Sequence, residues 1–199
     1  RNVMIGDMKR IYDDLKSIAG SLTAMKKTLL RMTECCDPYI YYNRVRPYIH
    51  GWKDNPALPE GVIYEDVEEY GGIPQKFRGE TGAQSTIMPA LEAALGIRFT
   101  PDKLTGYLLE MREYMPREHR EFLEELERQD QASSVRSFVL ANKLMIYPSL
   151  VGAYNECVEL LADFLEKHFE YAGAYIHSQS QKSAANPTAV GTGGTPFME

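Results

Sequence analysis

An apolar stripe of nine residues at the start of the chain constrains the fold most. Its members alternate in spacing between four and three residues, which places them on one face of an α-helix. They are Met4, Met8, Ile11, Leu15, Ile18, Leu22, Met25, Leu29 and Met32. The pattern predicts a helix of about 30 residues, roughly 45 Å long. It fits either a long helix within a bundle or an intermolecular coiled coil, although its flanks lack the paired Glu and Lys that set partner choice in coiled coils.

A second apolar stripe predicts another long helix, which begins at Pro148–Ser149. Its members are Leu150, Tyr154, Cys157, Leu161, Phe164, His168, Tyr171 and Tyr175. Between the two stripes, shorter periodic segments alternate with loops rich in Gly and Pro, and Thr100–Pro101 is predicted to begin one of the shorter helices. Val62–Tyr64 suggests a short strand. The predicted fold is therefore all-α, a bundle of about six to eight helices.

Charge and composition argue against several classes of function. The 199 residues include 22 Lys and Arg against 28 Asp and Glu, a net charge of −6. Nucleic-acid binders usually carry a basic stripe instead. No apolar run approaches the roughly 20 residues that a membrane span requires. Because the three cysteines form no Cys-x-x-Cys pair, we predict a reduced, cytoplasmic chain without a cysteine-based zinc site.

The last part of the chain has a different composition. From Ser178 to Thr195 it consists mainly of Ser, Gln, Ala, Thr and Gly, so it cannot bury enough apolar surface to hold one conformation alone. We therefore predict a helical domain over residues 1–177 and a flexible segment of the same domain over 178–199. Gly191–Thr195 lacks the Lys-Ser/Thr end of a phosphate loop. It fits a linker, a tail, or a lid with glycine hinges over a pocket.

His168 stands out among the four histidines because it lies within the second apolar stripe. One interpretation is a core histidine satisfied by a backbone carbonyl or a water. The other is an axial ligand in an apolar cavity, since neutral imidazole binds iron and helix bundles build cofactor sites from inward-facing side chains. No Glu-x-x-His or His-Glu-x-x-His motif is present, so a di-iron or zinc-protease site has no support.

Tyr41, Tyr42 and Arg46 form a second candidate site. Their spacing allows all three side chains to share one face of a helix. An arginine beside aromatic rings can hold a carboxylate by a bidentate pair while the rings pack a flat substrate. The alternative is a surface arginine whose stem lies over core tyrosines.

Several strings of the chain resemble, in the same order, strings of the indoleamine 2,3-dioxygenase family. Arg78–Thr86 resembles its Gly-Gly-Ser-Ala-Gly-Gln-Ser-Ser loop, and His50–Pro56 resembles its Ser-Gly-Trp-Lys-Gly-Asn-Pro segment. Met111–Leu123 is similar to Met-Arg-x-Tyr-Met-Pro-Pro-x-His-Arg-x-Phe-Leu, and Gly191–Thr195 matches Gly-Thr-Gly-Gly-Thr. Tyr41–Arg46 is similar to the pocket motif Phe-Phe-x-x-x-Arg. The strings cover nearly the whole chain, and their order makes the resemblance specific.

The resemblance implies an all-helical large domain that binds heme b. Residues 1–177 would form this domain, and His168 is the position that matches the ligand of the heme iron. Thr81 and Gly82 would border the distal pocket, where Thr81 would also contact the cofactor. Thr192 would belong to a lid over the site.

The resemblance also implies a substrate and a reaction. Arg46 would hold the substrate carboxylate, and Tyr41 and Tyr42 would line the indole site. The expected enzyme is a dioxygenase that inserts dioxygen across the C2=C3 bond of tryptophan or a related indole and opens the pyrrole ring. Its expected partners are dioxygen and a small indole substrate.

Departures from the family pattern keep two alternatives open. Tyr41 and Tyr42 replace two phenylalanines, which favours a secondary-metabolism relative that mono-oxygenates or rearranges an indole. The first helical stripe fits a non-enzymatic helical interaction module. Leu165 stands where the family has an arginine that pairs with a heme propionate, and Glu80 replaces a glycine near the heme. The family also has a further N-terminal stretch, expected here as an upstream part of the same protein or as a second chain.

Overall fold

The computed structural model describes residues 2–143 and 148–182, and this part of the chain is all-α, as predicted. Its α-helices are α1 (Asn2–Leu30), α2 (Met32–Cys35), α3 (Pro38–Ile40), α4 (Arg46–Ile49), α5 (Ile87–Ala94), α6 (Lys103–Arg112), α7 (Arg117–Ala132), α8 (Val135–Ala141), α9 (Pro148–Ala172) and α10 (Ser178–Ser180). Two π-helical turns, Tyr41–Val45 and Gly173–His177, and two 3₁₀ turns, Glu68–Tyr70 and Gly82–Gln84, are also present. Among the described residues, no helix is both long and apolar enough to cross a membrane.

The chain divides into two compact units. The first contains residues up to 35, residues 86–100 and the described residues of 112–169. The second contains residues 36–85, 101–111 and the described residues from 170 onward. The division predicted between residues 1–177 and 178–199 stays a prediction, because residues 183–199 lie outside the described part of the chain.

The core of the first unit joins α1 to α9. It contains Met8, Leu15, Ala19, Leu22, Leu95, Val139, Leu150, Ala153, Tyr154, Cys157 and Leu161. Burial of each leucine contributes about 2 kcal/mol. Two polar contacts cross this core, from Cys157 Sγ to the Leu15 carbonyl at 3.1 Å and from the Tyr154 hydroxyl to the Leu95 carbonyl at 2.7 Å. Three members of the α1 stripe are therefore buried within their own chain, and Ile11, Ile18 and Met25 pack against this core, which supports the bundle helix over the coiled coil.

The loops of the second unit contain one β-bridge. Val62 and Gln75 exchange two backbone hydrogen bonds of 3.0 and 2.8 Å as an isolated antiparallel bridge. The short strand suggested at Val62–Tyr64 is therefore reduced to a single paired residue. Packed aromatic rings hold this loop instead: Tyr64, Tyr70 and Phe77 lie with their centroids 5.8 Å apart, and Trp52 Nε1 donates to the Tyr64 hydroxyl at 2.9 Å.

Helix α6 begins later than the sequence suggests. Thr100–Pro101 was expected to start it, but the helix begins at Lys103. The reason is a reciprocal pair across the first turn, in which Thr105 N donates to Asp102 Oδ1 at 2.7 Å and Asp102 N donates to Thr105 Oγ1 at 2.8 Å. This pair satisfies backbone donors of the first turn, as a capping box does.

Candidate functional site

The two π-helical turns belong to the second unit and contact each other. In the first, the Arg46 amide donates to the Tyr41 carbonyl, five residues back. Pro47 follows at once; it has no amide hydrogen, and its ring crowds the carbonyl four residues earlier, so the helix widens here. The second turn closes in the same way, from the Ser178 amide to the Gly173 carbonyl. Single π turns within α-helices are frequent at functional sites.

An aromatic contact joins these two turns. The rings of Tyr41 and Tyr175 meet edge to face, with centroids 5.9 Å apart. The Tyr175 hydroxyl donates to the Cys36 carbonyl at 2.6 Å, and this hydrogen bond fixes its ring. Tyr171 packs on Tyr175 at 6.1 Å. The Tyr41 ring therefore packs against the Tyr175 ring, whose position is fixed by its own hydrogen bond.

Arg46 and Tyr42 form a buried cation–π pair. Both side chains have an exposed fraction of 0%, and the centre of the guanidinium lies 5.2 Å from the centroid of the Tyr42 ring. Burial lowers the pKa of Arg46, and the nearby Tyr42 and Tyr41 partly oppose that shift. Burial also raises the pKa of Tyr42. Because burial disfavours the charged guanidinium, an anionic group brought to Arg46 would stabilise it. The interpretation of Arg46 as a surface arginine is wrong.

His168 lies where α9 leaves the core of the first unit. Leu161 is buried, Phe164 is half-buried and His168 is exposed. In the described part of the chain, its imidazole makes no hydrogen bond. Yet enough protein surrounds the ring that desolvation lowers its pKa, which favours neutral imidazole. The interpretation of His168 as a core histidine is therefore wrong, because its side chain is exposed.

The loop before α5 carries Thr81 and Gly82. Thr81 caps the 3₁₀ turn Gly82–Gln84 by accepting from the Ala83 amide at 3.4 Å, and Gln84 Nε2 donates to the Gly79 carbonyl at 3.0 Å. A methyl group at Gly82 would meet no atom within 4 Å, so this residue borders open space. Glu80, which replaces a family glycine, is exposed and leaves its charge in solvent.

An ion cluster that the sequence analysis missed holds this loop. Arg78 Nε and Nη2 donate to the two carboxylate oxygens of Glu110 at 2.9 and 2.8 Å, and Nη1 donates to Asp54 at 3.0 Å. Lys53 Nζ contacts the same Glu110 at 2.6 Å. Arg78 lowers the pKa of Glu110 to about 2, with a smaller contribution from Lys53. The cluster therefore ties the His50–Pro56 string and the Arg78–Thr86 string to α6.

A close backbone approach joins the same two strings. A Cβ atom on Gly51 would lie 2.1 Å from the Gly79 nitrogen and 2.4 Å from the Arg78 carbonyl carbon. The Trp52 amide donates to the Phe77 carbonyl at 2.8 Å, and the Glu80 amide donates to the Ile49 carbonyl at 3.0 Å. The glycine in the string is therefore required by contact between two backbones. The glycine within the His50–Pro56 string was the sequence signal that could have revealed this junction.

The predicted site residues divide between the units. Tyr41, Tyr42, Arg46, Thr81 and Gly82 belong to the second unit. His168 belongs to the first. Thr192 lies outside the described residues. Their assigned roles stay predictions.

The chemistry of His168 fits a heme ligand. In the described residues, no group of three or more His, Cys, Asp and Glu side chains could hold a metal ion. A heme needs no such group from the protein, because the porphyrin supplies four ligands and one neutral imidazole completes the proximal side. Leu165, at the position of the family's propionate partner, is 37% exposed and offers no charge.

Comparisons with known proteins show which family this sequence matches. A family model described as indoleamine 2,3-dioxygenase matches residues 1–198. The chain is 37% identical to indoleamine 2,3-dioxygenase 1 of Rattus norvegicus, over 96% of this chain and 48% of that protein. It is 34% identical to indoleamine 2,3-dioxygenase 2 of Homo sapiens, over 96% of this chain and 47% of that protein. It is also 34% identical to a 6-hydroxytryptophan 2,3-dioxygenase of Fusarium equiseti, over 98% of this chain and 50% of that protein.

The chain spans about half the length of the curated relatives that it matches. The match nevertheless runs through nearly all of its own residues and includes the strings that build the Gly51–Gly79 junction and the Arg46 turn. On that ground, this chain is a member of the indoleamine 2,3-dioxygenase family.

Proposed function

We propose that this chain forms the heme-binding and substrate-binding part of a dioxygenase that opens the pyrrole ring of tryptophan or a related indole. The observation that carries the proposal is the fully buried Arg46 against Tyr42, in a chain that belongs to this family. Residues outside this chain, upstream in the same protein or on a second chain, complete the pocket in this proposal. Family membership supports an enzyme over a helical interaction module.

In this proposal His168 is the protein ligand of the heme iron. Desolvation lowers the pKa of its imidazole and so favours the neutral form that a metal requires, and the ring makes no hydrogen bond within the described residues. The bound heme supplies the binding of dioxygen and the electron transfers of oxygen insertion. The protein's part is to hold the cofactor, orient the indole and keep water out of the site. We further propose that Thr81 contacts the cofactor, that Gly82 leaves space beside it, and that Thr192 covers the site.

Arg46 orients the substrate by its carboxylate. A buried guanidinium is stabilised by a carboxylate, and a bidentate pair also fixes the direction of the amino acid relative to the ring. We expect Arg46→Gln to weaken tryptophan binding to the heme-loaded protein by about 30-fold, the loss of a charge-assisted hydrogen-bond pair. Equilibrium dialysis with labelled tryptophan measures this effect.

Arg44→Gln is the matched control for Arg46→Gln, because Arg44 lies two residues earlier and is exposed. It should leave the dissociation constant within about twofold of the unmodified value, since exposed charges contribute little. Equal losses in both variants would mean that Arg46 does not contact the carboxylate.

The mass of the product tests the reaction. In the proposed function, turnover of tryptophan under dioxygen by the heme-loaded, reduced protein adds two oxygen atoms to the substrate. Mass spectrometry with ¹⁸O₂ should show that both added atoms come from dioxygen. A product with one added oxygen, or none, would contradict dioxygenation.

A mono-oxygenating or rearranging relative is the second candidate. The buried Tyr42 hydroxyl favours it, because it puts a polar group where the family pattern has phenylalanine. The chain is also similar to an enzyme named 6-hydroxytryptophan 2,3-dioxygenase, which favours an indole substrate with a further polar group but does not favour mono-oxygenation. Turnover of tryptophan and 6-hydroxytryptophan side by side separates these substrates.

A further inference from the structure

His50 has one ring nitrogen whose hydrogen bond is assigned and one that lacks a partner. Its Nδ1 lies 2.9 Å from the Gly51 carbonyl oxygen. A carbonyl oxygen only accepts, so Nδ1 carries the hydrogen and donates it. In the neutral ring, Nε2 then presents a lone pair and acts as an acceptor.

The Nε2 atom of His50 is buried without a partner. Within the described part of the chain, no donor lies in hydrogen-bond geometry with it, although its surface is closed to solvent. Buried acceptors are nearly always satisfied, and an unsatisfied one is explained by strain, by a role in binding or catalysis, or by a bound water or ion. The group that fits this atom is a hydrogen-bond donor, such as an N–H.

The backbone around His50 links two parts of the candidate substrate site. His50 directly follows α4, which begins with the buried Arg46. The carbonyl of the preceding residue, Ile49, accepts from the Glu80 amide at 3.0 Å. Glu80 directly precedes Thr81. Gly51 then lies against Gly79. His50 is therefore held rigidly at the junction between the Arg46 turn and the Thr81 loop, all within the second unit.

We propose that His50 Nε2 accepts a hydrogen bond from the ring N–H of the indole substrate. This inference rests on the proposed function and adds a specificity residue to it. Arg46 holds the carboxylate end of the substrate. His50 selects a substrate whose ring has an N–H donor. The resembling family string has serine at this position, whose shorter side chain cannot place an acceptor at the site of Nε2.

The test compares tryptophan with its benzothiophene analogue, in which sulfur replaces the ring N–H at similar size and shape. Dissociation constants are measured by equilibrium dialysis on the heme-loaded protein, without turnover. The unmodified protein should prefer tryptophan by about tenfold or more, because the analogue leaves the buried acceptor unpaired. His50→Ala should reduce this preference to about one. His50→Gln should retain much of it, since the Gln side-chain oxygen can reach the position of Nε2.

The outcomes distinguish this inference from the function on which it rests. If the unmodified protein binds neither compound, the proposed function fails. If it binds both equally, or if His50→Ala keeps the preference, the His50 assignment is wrong while the function stands. If His50→Ala does not fold, the comparison of the two ligands on the unmodified protein and on His50→Gln still decides.

Discussion

Purified His168→Ala protein is expected to lose the Soret band that heme produces in the unmodified protein. His168 offers a neutral imidazole with no competing hydrogen bond among the described residues, so its removal leaves the iron without its proposed protein ligand. Loss of an outer-shell partner of a metal ligand already costs 10–100-fold in affinity, and loss of the ligand itself should cost about 100-fold or more. Heme titration followed by absorbance measures the change.

Two controls sharpen the His168 experiment. His119→Ala removes another exposed histidine of the same unit, whose Nδ1 lies 2.8 Å from the Thr86 hydroxyl, and should leave heme binding unchanged. Free imidazole added to His168→Ala should restore the Soret band, because it can occupy the vacated position. Normal heme affinity in His168→Ala would show that another residue holds the iron.

Gly51→Ala is expected to destabilise the protein by about 3 kcal/mol, the upper range for overpacked positions. The added Cβ would lie 2.1 Å from a backbone nitrogen and 2.4 Å from a backbone carbon. Backbone atoms cannot rotate away as the end of a side chain does, so the two loops must separate. The free energy of unfolding, measured by urea titration, should fall, and tryptophan binding should weaken with it because Thr81 and His50 shift.

Gly106→Ala is the matched control for the loop junction. Gly106 lies within α6, and a methyl group there meets nothing within 4 Å. Alanine is favoured over glycine in a helix by about 1 kcal/mol, so this variant should be as stable as the unmodified protein or more stable. An unfolding free energy for Gly51→Ala equal to that of Gly106→Ala would mean that the close approach of the two backbones is absent in solution.

Much of the fold could be predicted from local pattern. Most of both apolar stripes lies in the long helices α1 and α9, because residues three and four apart share a helix face wherever the helix lies. The last members lie outside them: Met32 begins α2, and Tyr175 belongs to a π turn. The π turn at Tyr41–Val45 could not be predicted in the same way. It contacts the second π turn, Gly173–His177, which lies far away in the sequence.

The candidate site shows the same division. The spacing of Tyr42 and Arg46 predicted one shared face, and the ring does lie 5.2 Å from the guanidinium. Spacing could not decide whether the pair was buried, and from spacing alone a surface arginine is the commoner case. Only the folded structure shows that the exposed fraction of both side chains is 0%.

The sequence alone determined that the chain is all-α, which faces of its long helices are apolar, and which family its strings resemble. Periodicity and short motifs involve residues close together in the sequence, so they can be recognised without knowledge of the fold. Only the tertiary structure decided that His168 is exposed, that Arg78 forms an ion pair with Glu110 on α6, and that the backbones of Gly51 and Gly79 are in contact. These features join residues distant in sequence, and the physical reason is that burial, ion pairing and backbone contact depend on where folding brings those residues.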